Sequence, residues 1–493
     1  EMSASLVGSE MCIRDRFLSV SFYSSDITGT TYQPSEIVLQ CKKVFKNIIA
    51  YDKFDFDGKK ESMYALRPAF DTVADMIGKG KKVPESLLEI FAQNPEYSAK
   101  LDSLINAKDK VPFKIFDKKN AEKLFGKNLN ISASQLEKFN LCRFSYFCNY
   151  GLNVRERQRA EINPMQYGTI VHYILERFFG EYTKEEYLSL EEDKFQKIVC
   201  AYLAEYAVKY FGEEQLESNS FTYRLKTILD NVMYLMKHIM EELSQSEFFV
   251  ADCELKIGED IPSYTIVLPD GHKIAVCGSV DRVDIMQRAD ITYLRIIDYK
   301  TGTKQFKLSD ILYGINLQML LYLHSIEASG GDKYGEIVPA GILYMPATVP
   351  YISSDSLKSI DKLPDELNKK LKMNGLLLKD TEIIHGMDKT DVATYIPVKI
   401  KAGEPVSSTS LATLAEFGKI FKKVDMLIAE MGKNIYNGNI EAKPLKGGHD
   451  SCEYCPYDSV CAYRQSNPIT CFSVDNKTVI EEITNEINGK EEE

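Results

Sequence analysis

The chain has 493 residues, 44% hydrophobic and 11% aromatic, which is enough for two or three domains with a substantial core. Its formal net charge of −12 argues against a protein that coats nucleic acid indiscriminately. Any contact with nucleic acid would then have to rely on local basic patches or on bound metal. No apolar run reaches the roughly 18 residues that a membrane span needs, so we expect no membrane helix.

The cysteine content indicates a reducing compartment. Eleven cysteines are an odd number in a long chain without the pattern of a secretory leader. They argue against a framework of disulfide bonds. We therefore expect a cytoplasmic protein.

The first residues resemble the translation of a sequencing adapter, most clearly over Leu6–Arg16. We expect residues 1–16 to be an artefact that should be excluded from fold reasoning. The chain would then derive from a truncated gene fragment that lacks an N-terminal portion. No G-x-x-x-x-G-K-[ST] motif occurs, so we expect no phosphate-binding loop for a nucleotide.

Hydrophobic periodicity predicts helices first, then strands. Residues 17–130 are of mixed, mainly helical pattern, and Ser132 with Gln135 forms a capping-box pattern at the start of a helix. Further helices are predicted over 164–179, 183–245, 312–326 and 411–436, and strands up to 257 and over 264–268, 273–280, 283–286, 293–300 and 340–345. This order predicts an α/β protein with a small mixed sheet flanked by helices. Residues 473–493 are rich in acidic side chains and are predicted to form a solvated tail.

Two predicted strands end in charged residues. Asp281 follows one strand, while Asp298 and Lys300 end the next and share one face of it. Two carboxylates that face one point suit Mg²⁺, and a lysine beside such a metal can orient water or neutralise an oxyanion. The pattern therefore favours phosphodiester hydrolysis, and the alternative is a charged hairpin edge with a solvated lysine.

Three polar residues on apolar helices are candidates for the same site. His172 has Glu176 four residues later, on the same helix face, and Gln318 is spaced in the same way from Tyr322. By spacing alone, each could equally be a core polar group with a satisfied partner. Lys304 and Lys307 are candidate phosphate contacts or simply solvated loop lysines.

A cysteine cluster indicates a second metal centre. Cys452, Cys455 and Cys461 form a C-x₂-C-x₅-C pattern, and a fourth ligand could be Cys142, Cys148 or Cys471. Zinc and an iron–sulfur cluster both accept four cysteine ligands, so the spacing does not choose between them.

Taken in order, these motifs resemble the PD-(D/E)XK nuclease superfamily in its RecB-like branch, which implies a restriction-endonuclease-like core. The resemblance implies that His172, Asp281, Asp298 and the Tyr299 carbonyl bind one or two Mg²⁺ ions. It also implies that Lys300 is catalytic and that Gln318 and Tyr322 face the site and help to hold DNA.

The cysteine layout and the order of motifs resemble the C-terminal part of AddB-type helicase–nuclease subunits. That resemblance implies a [4Fe–4S] cluster on Cys142, Cys452, Cys455 and Cys461, which would staple a helical periphery to the nuclease core. It divides the chain into a remnant of a helicase-like region (17–130), a nuclease domain (131–472) and the acidic tail (473–493).

For function, the resemblance implies an exonuclease that acts on broken DNA ends in recombinational repair, in a heterodimer with an AddA-type subunit. The alternatives are an iron–sulfur exonuclease of the CRISPR-adaptation type and a non-catalytic scaffold that binds DNA ends.

Overall fold

The computed structural model describes residues 36–45, 65–78, 81–106, 114–115, 117–155, 164–212, 219–302, 305–348, 363–407, 409–461, 463 and 468–491. The predicted adapter artefact, residues 1–16, lies outside these ranges. The chain divides into two compact units, Glu1–Val111 and Pro112–Glu493. None of the helices within the described ranges is long and apolar enough to cross a membrane.

The helices of the first unit are α1 (Glu36–Val44), α2 (Leu66–Gly78), α3 (Glu85–Gln93) and α4 (Ser98–Asn106). A small core of its own holds α2, α3 and α4 together, with Val73, Phe91 and Leu101 almost fully buried.

The helices of the second unit are α5 (Lys118–Phe125), α6 (Ala133–Leu141), α7 (Arg143–Tyr146), α8 (Pro164–Glu181), α9 (Lys184–Leu188), α10 (Glu192–Phe211), α11 (Asn219–Gln245), α12 (Gln318–Ser329), α13 (Gly331–Tyr334), α14 (Leu363–Leu371), α15 (Thr381–Met387), α16 (Leu414–Tyr436) and α17 (Asn476–Glu491). Its strands are β1 (Asn128–Ile131), β2 (Phe249–Ile257), β3 (Thr265–Val267), β4 (Lys273–Val276), β5 (Gly278–Arg288), β6 (Ile291–Lys300), β7 (Glu336–Pro346), β8 (Asn374–Leu378), β9 (Lys399–Lys401), β10 (Glu404–Val406), β11 (Leu411–Ala412), β12 (Leu445–Gly447) and β13 (Ile469–Cys471).

The centre of this unit is a six-stranded mixed sheet of order β11-β8-β7-β6-β5-β2. Strands β5 and β6 are antiparallel, and β6 and β7 are parallel. Helix α8 packs on β2 and β6, while α12 packs on β6 and β7. The α/β fold class and the mixed sheet flanked by helices are thus confirmed.

Local signals explain several boundaries. The predicted capping box is confirmed, because the Gln135 amide oxygen accepts a hydrogen bond from the Ser132 amide at 2.9 Å. The predicted strand over 273–280 is interrupted at Cys277, whose amide donates to the Ile131 carbonyl in the small sheet of β1, β4 and β3. The helix predicted from Leu312 begins only at Gln318, because Gly314 and Asn316 adopt positive φ angles after a 3₁₀ turn.

The compact second unit begins at Pro112 and includes β1, which pairs with β4, so it extends ahead of residue 131. The nuclease-domain boundaries of 131 and 472 stay a prediction. The prediction of a solvated acidic tail is wrong for Asn476–Glu491. This segment forms α17, an amphipathic helix that buries Val479 and Ile483 against α16 and whose Glu486 pairs with Lys423.

Candidate active site

The ends of β5 and β6 bring the two predicted aspartates together. Arg282 is paired with Ile297, so Asp281 lies beside Asp298 across the two strands. The Asp281 carboxylate accepts a hydrogen bond from the Tyr299 amide at 2.9 Å, which holds it against the neighbouring strand. Asp298 itself is 1% exposed.

Lys300 and Gln318 both hold the Asp298 carboxylate. Lys300 Nζ lies 2.6 Å from Asp298 Oδ2, while the Gln318 side-chain amide donates to Asp298 Oδ1 at 3.0 Å. Gln318 begins α12, so the helix reaches the site with its first residue. Neighbouring strand residues point to opposite faces, so the α12 face carries Asp298 and Lys300, whereas Tyr299 points toward the α8 face.

His172 completes the site from α8. Its Nε2 lies 3.7 Å from Asp281 Oδ2, and its Nδ1 lies 3.0 Å from Glu254 Oε1. Ser279 donates a hydrogen bond to the other oxygen of Glu254 at 2.8 Å. Ligand atoms of His172, Glu254 and Asp281 lie within 4.8 Å of one another, which is close enough for one metal ion to contact all three.

Electrostatics at the site favour a cation. Burial and the nearby Asp298 charge raise the pKa of Asp281 to about 7. Burial also opposes the charges on His172 and Glu254, but their mutual hydrogen bond raises the pKa of His172 and lowers that of Glu254. Within the described residues, three carboxylates thus face one lysine and one histidine, and the donor set of carboxylate oxygens with one imidazole fits a divalent metal ion.

Glu254 is a site residue that sequence analysis missed. It is a non-glycine residue at φ 51° inside β2, where a left-handed backbone is strained. One acidic residue on an edge strand looks like an ordinary solvent-facing position in the sequence. Only its pairing with His172 in space shows its place in the site.

Tyr322 is placed behind the site, with 5% exposure. Its phenol ring lies against Gly278 so closely that a Cβ at Gly278 would stand 2.5 Å from Tyr322 Cζ. The glycine therefore makes room for the tyrosine beside the strand that carries Asp281. A direct contact between Tyr322 and DNA stays a prediction.

The predicted phosphate contacts are less defined. Lys307 is exposed, and Lys304 lies outside the described residues.

The cysteine-rich segment packs against the end of α6 and against α7. Cys142 and Cys148 are buried in one cluster with Phe144 and Tyr457, and Cys455 and Cys461 pack on it. Burial raises the pKa of the Cys142 and Cys461 thiols, and the neighbouring cysteines raise both further. A metal centre shared by these cysteines stays a prediction.

The two other candidates for the fourth cysteine ligand lie in different clusters of the structure. Cys148 lies in the same cluster as Cys142, whereas Cys471 packs elsewhere, with Ile315 and Leu445. Protein contacts also tie the segment down, since Ser451 Oγ donates to the Leu141 carbonyl at 3.0 Å.

Comparison with known proteins agrees with this geometry. A family model described as the PD-(D/E)XK nuclease superfamily matches residues 130–462, which include the whole site. The chain belongs to the PD-(D/E)XK nuclease superfamily.

Similar proteins include three that are each named as a subunit of an ATP-dependent helicase/deoxyribonuclease. The relative from Thermoanaerobacter sp. (strain X514) is 30% identical over 93% of this chain and 42% of its own length. The relative from Clostridium kluyveri is 31% identical over 99% of this chain and 44% of its own length. The relative from Clostridium acetobutylicum is 31% identical over 91% of this chain and 40% of its own length. The chain thus spans less than half the length of these curated relatives.

Proposed function

We propose that this chain is the nuclease-bearing part of a DNA helicase–nuclease subunit and that it hydrolyses phosphodiester bonds with Mg²⁺. The observation that carries the proposal is the convergence of Asp281, Asp298 and Lys300 at the ends of two central strands. The superfamily match covers all three residues.

His172, Glu254, Asp281 and Asp298 would hold one or two Mg²⁺ ions, with the Tyr299 carbonyl as a further ligand. Such an ion, when bound, lowers the pKa of water and stabilises negative charge on the phosphate. The raised pKa of Asp281 supports this role, since a cation would favour the ionised carboxylate that burial and Asp298 disfavour.

The chain's own residues orient the reaction. Lys300, with its ammonium group 2.6 Å from Asp298, would hold the attacking water by a hydrogen bond and neutralise charge that develops on the phosphate. Gln318 fixes the Asp298 carboxylate from the other side and so limits its rotation. Together they keep the acceptor oxygens in place before DNA binds.

The relatives support a proposal for the biological role. Their printed names join a helicase to a deoxyribonuclease and describe one subunit of that assembly. We therefore propose an exonuclease that processes broken DNA ends during recombinational repair, together with an AddA-type partner. Relatives of this kind match along more than 90% of this chain, which favours this role over a CRISPR-adaptation exonuclease. We also propose a cytoplasmic location, because the cysteines that the structure describes are all free of disulfide bonds.

For the cysteine centre we propose a [4Fe–4S] cluster on Cys142, Cys452, Cys455 and Cys461, with a structural role. Burial of Cys142 beside Cys455 and Cys461 supports it. The cluster would join residues about 300 positions apart in the chain. Iron and sulfide analysis of brown, anaerobically purified protein tests this, and stoichiometric zinc without iron would contradict it.

The nuclease proposal is tested on linear single-stranded DNA with Mg²⁺ and without ATP. Wild type is compared with Lys300→Ala and with Lys194→Ala, a matched loss of an exposed lysine on α10. We expect cutting by wild type and Lys194→Ala, and loss of cutting in Lys300→Ala. Equal cutting by all three proteins would contradict the site. If no protein cuts, the assay is repeated with the partner protein, and continued inactivity would favour the scaffold role.

A further inference from the structure

A buried group of four charged residues lies directly behind the candidate active site. Arg282, Asp284, Arg295 and Glu242 are each 0% exposed. Arg282 donates two hydrogen bonds of 2.8 Å to Asp284 and a third, of 3.2 Å, to Glu242. Arg295 donates to Glu242 at 2.6 Å and to Asp284 at 3.0 Å. The two positive and two negative charges balance.

This quartet joins three elements, because Glu242 lies on α11, Arg282 and Asp284 on β5, and Arg295 on β6. A buried ion network of this kind has few alternative geometries, since each displaced charge would lie unpaired away from water. Within the described residues, Arg295 Nη1 is the one nitrogen of the two guanidinium groups that is buried without a hydrogen bond. The remaining face of Arg295 is covered by the Phe248 ring, 4.8 Å from its guanidinium carbon. The quartet is therefore a rigid support under the strands that carry the site.

Tyr299 links this support to the candidate metal ligands. Its hydroxyl accepts a hydrogen bond from Arg282 Nη1 at 3.2 Å. Its ring meets the His172 ring edge to face, with centroids 5.8 Å apart and planes at 85°. Its amide donates to Asp281 at 2.9 Å. A single residue thus contacts the quartet, His172 and Asp281.

We propose that the Tyr299 side chain is a positioning residue, which uses its hydrogen bond to Arg282 to hold His172 and Asp281 in the geometry that binds a divalent metal ion. The proposal rests on the proposed metal-dependent function. It assigns a role to the hydroxyl and ring of Tyr299, separate from the expected use of its carbonyl as a ligand. It also gives the buried quartet a task in metal binding beyond fold stability.

The test is a titration of each full-length protein with Mn²⁺, followed by the electron paramagnetic resonance signal of the unbound ion. Tyr299→Phe keeps the ring and removes only the hydroxyl. Arg282→Lys keeps the positive charge but replaces the forked guanidinium by one ammonium nitrogen, so the separate Nη1 donor to that hydroxyl is lost. Tyr334→Phe is the matched control, because its buried hydroxyl donates to Asp252 at 2.6 Å and its carbonyl accepts from Thr292, at the opposite end of β6 from Lys300.

We expect Tyr299→Phe and Arg282→Lys to bind Mn²⁺ at least threefold more weakly than wild type, while Tyr334→Phe stays within twofold. Far-UV circular dichroism checks that each variant is folded. Equal affinity of wild type and folded Tyr299→Phe would overturn the inference, as would an equal loss in Tyr334→Phe. Failure of wild type itself to bind Mn²⁺ would instead overturn the proposed metal site.

Discussion

The packing of Gly278 against Tyr322 gives the sharpest stability prediction. A Cβ at position 278 would stand 2.5 Å from Tyr322 Cζ and 2.8 Å from Cε1, whereas carbon atoms in contact normally lie about 3.5–4.0 Å apart. The ring would have to move by about 1 Å within a buried site. Overpacking of this size costs about 1–3 kcal/mol, so Gly278→Ala should lower the free energy of unfolding by that amount.

The cause is isolated by combining Gly278→Ala with Tyr322→Leu. The leucine variant alone removes buried ring atoms and should cost about 2 kcal/mol. In the double variant the added methyl group occupies part of the vacated space. The double variant should therefore lose at least about 1 kcal/mol less free energy of unfolding than the two single variants lose together. Tyr322→Phe should give only part of this relief, because it removes the hydroxyl oxygen, which is the atom nearest to the added Cβ, while Cζ and Cε1 remain.

Urea unfolding followed by far-UV circular dichroism measures these differences, since the chain has no tryptophan for fluorescence. Gly418→Ala is the control, because this glycine lies in α16 and an added Cβ would meet nothing within 4 Å. It should be neutral or slightly stabilising. Additive costs within about 0.5 kcal/mol, or equal effects at positions 278 and 418, would refute the reasoning.

Three further predictions concern charge and metal. Arg282→Met should lower the free energy of unfolding by about 3–5 kcal/mol in urea melts. The reason is that two buried carboxylates, Asp284 and Glu242, would then share the single positive charge of Arg295. A loss below about 1 kcal/mol would contradict this. Burial opposes the charge on His324, but its interactions with Asp425 and Glu327 raise the pKa of His324 to about 9. The charged histidine therefore stabilises the fold fully below about pH 6.5, and this contribution is lost as the pH rises through 9. Thermal melts from pH 6 to 10 should therefore decline less in His324→Gln than in wild type, and parallel declines would contradict the assignment. Cys455→Ser should lose bound iron and also lower the free energy of unfolding. The loss of stability should be smaller than about 5 kcal/mol, the closure entropy of an otherwise unrestrained loop of this length, because Ser451 and Tyr457 also hold the segment. Unchanged iron content would contradict the ligand assignment.

The parts of the site that lie on continuous strands could be predicted from the sequence. Asp298 and Lys300 are two apart on β6, and strand geometry alone places them on one face. Asp281 required the further expectation that β5 pairs with β6, which their closeness in sequence favours. Gln318 can be predicted because its amide is a polar group in an otherwise apolar helix.

The remainder depends on contacts between distant segments. Glu254 lies 82 positions from His172 and has no local signal, so only the packing of α8 on β2 shows their pairing. The many acidic residues in and after α17 favour a solvated tail, so the four-residue spacing of Val479 and Ile483 was a weak signal for a packed helix. Their burial needs a partner surface on α16. Likewise, arginines are usually exposed, so the sequence gives no reason to expect Arg282 and Arg295 to be buried. Their complete burial depends on Glu242 from α11.

The central claim is that the ends of β5 and β6 form the metal-binding catalytic site. The most direct measurement is anomalous diffraction from crystals soaked with Mn²⁺. We predict a peak about 2.0–2.4 Å from carboxylate oxygens of Asp281 and Asp298, with His172 or Glu254 as a further ligand. A peak elsewhere, with none between these aspartates at saturating Mn²⁺, would contradict the account.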